Sequence, residues 1–152
     1  MFQNIIKELS IFNNNAWSYV AESIEDNADD IVYINQSRII DKGTDSDNVK
    51  LRNKQASYRG YSPPYERRKK KLGLYNGHIN LYLSGEYLGA YDIKANENEV
   101  DVFVNPTNAD LDEILKTLYG EKIQGLSEKE WAAVVNKFIL PAIIDKFLRI
   151  FA

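Results

Sequence analysis

Tyr87-Leu88-Gly89-Ala90-Tyr91-Asp92-Ile93-Lys94 and Glu99-Val100-Asp101-Val102-Phe103-Val104, separated by a few polar residues, decide the fold. In the second run Val100, Val102 and Val104 alternate with Asp101 and Phe103, the two-residue period of a strand with one buried face. Asn96-Glu97-Asn98 supplies a hairpin connection, and Asn105-Pro106-Thr107-Asn108 ends the second strand. Upstream, Ile79, Leu81 and Leu83 alternate in the same way, which predicts another strand over residues 78–83. Ser84-Gly85-Glu86 then makes a turn or a short helical start.

On both sides of this region the period changes to that of helix. Ile5, Ile6, Leu9 and Phe12 are spaced by three and four, which predicts a helix over 2–12. Asn13-Asn14-Asn15 interrupts the pattern and can cap a second helix over about 16–34, striped by Ala16, Val20, Ile24, Ala28 and Ile31. Toward the other end, Asp110 to Leu118 reads as a short helix closed by Gly120. Ser127-Glu128-Lys129-Glu130 is a capping box, and Trp131, Val134, Val135 and Phe138 form the stripe of the helix it opens. Pro141 removes a backbone donor and must kink or divide that helix. Beyond it only Asp145, Lys146 and Arg149 are polar, so the terminal helix is either embedded or a partner surface.

The expectation is an α+β fold: a small antiparallel sheet of three or four strands with a long loop, flanked by N- and C-terminal helices. One domain over 1–152 divides into a helical region (1–36), a polar and basic loop with a short helix (37–77), the sheet (78–104) and C-terminal helices (109–151). A chain of 152 residues can bury one sizeable core at this length. With no cysteine there is no disulfide, thiolate zinc site or cysteine nucleophile, and a single histidine, His78, removes multi-histidine metal centres. No apolar run reaches the ~18–20 residues of a membrane helix. Met1-Phe2-Gln3-Asn4 lacks the basic start and apolar core of a signal peptide, which implies folding in a cytoplasm.

Charge is segregated. Between Lys50 and Leu72 nine bases face one acid, Glu66, a net +8, while the rest of the chain carries a net −11. Within the basic segment, Ser62 suits an N-cap with Pro63 at the first helical position, and a short helix carries Arg67-Arg68-Lys69-Lys70-Lys71 to a stop at Gly73. The acidic focus is Glu22, Glu25, Asp26, Asp29 and Asp30, with no base between them. Such segregation reads either as a solvated face with a loop or as an electrostatic contact surface. Tyr58, Tyr61, Tyr65 and Tyr75 interleaved with arginines could stack bases, whereas the acidic remainder would repel a phosphate backbone. The aspartates of 41–48 read as a polar turn, because the glycine and distal glutamate of an EF-hand are missing. No glycine-rich phosphate loop or catalytic constellation is visible, and no cofactor or enzyme activity is expected.

Gly60-Tyr61-Ser62-Pro63-Pro64-Tyr65, the basic run to Gly73, and Ile79-Asn80-Leu81-Tyr82-Leu83-Ser84-Gly85-Glu86-Tyr87 follow one another in an order that resembles small virion proteins of tailed bacteriophages. The likeness is to neck and tail-completion (head–tail connector) proteins, including those of crAss-like and other Bacteroidetes phages. Tyr119-Gly120-Glu121-Lys122-Ile123-Gln124-Gly125-Leu126-Ser127 adds to it. The resemblance is tight over 58–87 and 119–131, loose over 37–150, and absent from 1–36. Ser84 stands where threonine is commoner. It implies a non-enzymatic virion subunit, assembled in the host bacterial cytoplasm, that forms a ring between portal and tail. DNA would pass through that ring without sequence-specific binding.

Combined with the charge pattern, this gives a candidate contact. Arg59, Tyr61, Tyr65, Arg67, Arg68, Lys69, Lys70 and Lys71 of one copy would meet Glu22, Glu25, Asp26 and Asp29 of the next, with portal or other neck and tail proteins as further partners and no membrane. The alternative is an accessory nucleic-acid-binding protein that uses the same basic and tyrosine segment.

Overall fold

A computed structural model describes residues 2–96, 98–105 and 109–152. The hairpin forms where the alternation places it. β1 (Tyr91–Ala95) pairs antiparallel with β2 (Val100–Val104) in the register Tyr91 to Val104 and Ile93 to Val102. Tyr91 and Ile93 are buried while Asp92 and Lys94 are exposed, so one face of the ribbon meets the core. The expected connection at Glu97 and stop at Pro106-Thr107-Asn108 lie outside the described residues.

Among the described residues the sheet has these two strands alone. Residues 78–83, expected as a strand, are irregular. Leu81 has φ +51°, which an extended strand cannot accommodate, and the backbone of 80–82 is spent on side chains instead of a ladder. The N–H groups of Asn80 and Leu81 each donate to the Tyr61 hydroxyl at 3.0 Å, and Tyr82 N–H donates to Asn80 Oδ1 at 3.2 Å.

The N-terminal helices differ from expectation at their junction and at their end, which lies beyond the expected residue 34. α1 (Phe2–Asp26) runs unbroken through Asn13-Asn14-Asn15, and the break falls at Asn27, before α2 (Ala28–Ser37). Asn15 stays helical by donating its side-chain amide to Ile11 O at 2.8 Å. Asn27, at φ −116° and ψ 21°, turns the chain while its amide donates to Ser23 O. A wide π-turn (Arg38–Lys42) extends α2 to Gly43.

After a loop come α3 (Pro63–Lys71), α4 (Glu86–Gly89), the hairpin and α5 (Ala109–Tyr119). α6 (Glu128–Val134) opens on the expected capping box, with Ser127 Oγ accepting from Glu130 N–H and the Glu130 carboxylate from Ser127 N–H. A second π-turn (Val135–Ile139) precedes α7 (Leu140–Leu148), so the missing donor of Pro141 is absorbed by a widened turn.

α1 packs on α7 and β1, and α2 covers β1. Between them Ile24, Ile31, Ile39, Ile123 and Val134 are fully enclosed. Arg38 ties the layers: it donates to Thr44 O, to Gly125 O at 2.9 Å and to Glu130 Oε2 at 2.5 Å. The capping-box glutamate is thereby also the partner of a buried cation. That ion pair needs its full set of hydrogen bonds to offset desolvation.

Candidate functional site

The helical period sorts the basic run. From Tyr65 one turn leads to Lys69, and both point inward, while Arg67, Arg68, Lys70 and Lys71 face solvent. Lys69 is wholly buried. Its ammonium has three donors and finds three acceptors: Tyr82 O at 2.6 Å, the Tyr61 hydroxyl at 3.2 Å and Asn80 Oδ1. It also lies 4.6 Å from the centroid of the Tyr61 ring. Burial lowers its pKa from 10.5 to about 8. Lys69 and Tyr61 are therefore internal fastenings of α3 and leave the exposed set that the sequence suggested. A run of five bases carries no mark of which one turns inward, apart from its spacing from Tyr65.

The remaining candidates are accessible. Arg59, Arg67, Arg68 and Lys71 are exposed and form no ion pair among the described residues. Lys70 pairs with Glu66 at 2.6 Å and sits over Tyr75. On the acidic side Glu22 bonds Lys146, whereas Glu25, Asp26, Asp29 and Asp30 are exposed and unpaired among the described residues. Asp29 and Asp30 also occupy the first turn of α2, where its dipole favours them. No ion pair joins the basic and acidic sets within the chain among the described residues.

Beside α3 the structure opens a cleft of about 550 Å³. Leu111, Leu115 and Leu118 of α5 form one side, and Leu81, Leu83 and the Ser84–Tyr87 turn another. Tyr58, Tyr65 and Tyr119 supply phenols. Tyr119 is 8% exposed, yet its hydroxyl has no hydrogen-bond partner among the described residues. Burial, with the Tyr65 and Tyr58 hydroxyls nearby, raises its pKa to about 12. The phenol is thus a donor at neutral pH. Tyr65 is raised by burial and drawn back by Arg68. Sequence reading missed this cleft; the signal available was the leucine stripe at 111, 115 and 118, on a helix where Leu111 stays 39% exposed.

The cleft can bind an apolar group that also carries hydrogen-bond acceptors. His78 stands elsewhere, its Nε2–H donating to Ile40 O at 2.8 Å. Asp45 of the polar turn spends its carboxylate on the N–H groups of Asp47 and Val49. α7 packs Phe147 edge-on to Phe12 of α1, while Leu140, Ile144, Leu148 and Phe151 remain exposed. No helix among the described residues is long and apolar enough to cross a membrane. Comparison with protein-family models, with curated proteins and with solved structures found no match.

Proposed function

We propose that the chain is a structural subunit of a tailed-phage virion, assembling with copies of itself into a ring at the neck or at the completed end of the tail, around the DNA channel. The observation that carries this reading is the pair of exposed and opposite charge sets, unpaired among the described residues: Arg59, Arg67, Arg68 and Lys71 against Glu25, Asp26, Asp29 and Asp30. Identical subunits with complementary patches at different places join head to tail, and such contacts close into rings when the rotation allows. Exposed ion pairs contribute only about 0–1 kcal/mol each, so apolar contacts hold the ring and charge sets register and encounter rate. The exposed side chains of α7 are available for that burial.

Light scattering and electron microscopy of the purified chain test the proposal. The wild type forms a closed oligomer, and the triple variant Arg67→Glu, Arg68→Glu, Lys71→Glu folds but stays a single chain. Unchanged assembly of that variant rejects the mechanism. Exposed Tyr58 beside Arg59 favours the alternative of nucleic-acid binding, which predicts retention of DNA that falls steeply with salt.

A further inference from the structure

The cleft and the acidic patch each have something left over. In the cleft, Tyr119 as a residue is 8% exposed and its hydroxyl has no partner among the described residues, and Leu111 beside it on the lining stays exposed. Cations stand at its rim. Arg68 acts on the Tyr65 phenol, and the Lys54 ammonium lies over Gly120, next to Tyr119. On α2, Tyr33 is 65% exposed and makes no hydrogen bond or ring contact among the described residues. It follows Asp29 by four residues and Asp30 by three, so ring and carboxylates share one face while Ile31, Val32 and Asn35 turn to the core. An aromatic side chain buries roughly 150–250 Å² when enclosed, a contribution Tyr33 does not make within its own chain.

We infer that the cleft receives Tyr33 of a second copy, with Asp29 and Asp30 of that copy meeting Arg68 and Lys54 at the rim. This rests on the self-assembly proposed above and names its contact. Charge complementarity selects the occupant: an aromatic knob flanked by carboxylates meets an apolar cleft with phenol donors and flanking cations. Glu86, the one acid among the described lining residues, can accept from the incoming phenol. Knob and cleft lie on different elements, so each copy offers one of each, as a head-to-tail contact requires.

The test uses the full chain, with circular dichroism as the fold control and light scattering as the readout. Tyr33→Ser removes the knob and Leu111→Asp sets a like charge in the cleft; both positions are exposed in the single chain. Each variant alone should associate at least ten-fold more weakly than wild type. An equimolar mixture of the two should give a species of two chains, since one intact knob then meets one intact cleft. If Leu111→Asp fails to fold, Arg68→Glu takes its place in the mixture. Tyr33→Ser assembling like wild type, or a mixture that stays monomeric, overturns the docking and leaves the ring reading standing. A wild-type chain that never assembles overturns both.

Discussion

The ammonium of Lys69 lies 4.6 Å from the centroid of the Tyr61 ring and donates to that tyrosine's hydroxyl at 3.2 Å, so one buried cation is held by ring and oxygen of the same side chain. Replacing it with a neutral isostere tests how much the arrangement holds. Lys69→Met leaves Tyr82 O without its donor, and a buried acceptor left unmade costs about 1–3 kcal/mol, while Asn80 Oδ1 loses the ammonium but keeps Tyr82 N–H and the Tyr61 hydroxyl. Denaturant unfolding should show a loss of about 1–3 kcal/mol, and Lys70→Met, at an exposed position, almost none. Equal midpoints for the two variants would refute the role given to Lys69.

Alkaline pH gives a second expectation. An unfolded Lys69 keeps its proton to about 10.5, whereas the folded one releases it near 8. Between those values the unfolded state binds more protons, so this group makes stability rise with pH. Burial raises the phenols of Tyr61, Tyr65, Tyr87, Tyr91 and Tyr119 above their ordinary 10.0, which has the opposite sign: their contribution is whole below pH 10 and lost above it. Urea midpoints should climb from pH 8 toward 10 and fall beyond. Lys69→Met should lose the climb and keep the fall.

Gly43 and Gly73 separate backbone strain from crowding. Both have positive φ, +59° and +70°. A Cβ on Gly43 would meet His78 Cδ2 and Ile79 O at 2.6 Å or less, whereas one on Gly73 meets nothing within 4 Å. Gly73→Ala should cost about 1–2 kcal/mol from conformation alone, and Gly43→Ala about 2–5 kcal/mol because overpacking adds to it. Thermal unfolding that ranks them the other way would contradict the packing described around Gly43.

The continuity of α1 makes a prediction of sign. If Asn14 sits mid-helix, Asn14→Ala stabilises by about 0.5 kcal/mol through helix propensity. If the asparagines capped a second helix, alanine there would destabilise by about 1 kcal/mol. Chemical denaturation decides between gain and loss.

Local chemistry made some elements legible in the sequence. The valine alternation gave β2, Ser62-Pro63 the start of α3, and Ser127 with Glu130 the start of α6, because each is settled by residues within a turn or two. Asn13-Asn14-Asn15 misled because packing against α7 and β1 overrides a weak propensity for breaking. Residues 78–83 misled because their alternation is real, while the backbone donors of Asn80 and Leu81 answer to Tyr61, 19 and 20 residues upstream. The exposed part of the charged site was visible as composition. The cleft was not, since it depends on α5 closing against two loops far apart in sequence.

The enclosure of Lys69 also makes it a chemical reporter. Amine-acylating reagents reach the neighbouring Arg-Lys surface of α3 at once but find this one amine sealed. Its appearance as a modified residue in a mass spectrum would time the opening of the chain, without any dye or engineered label.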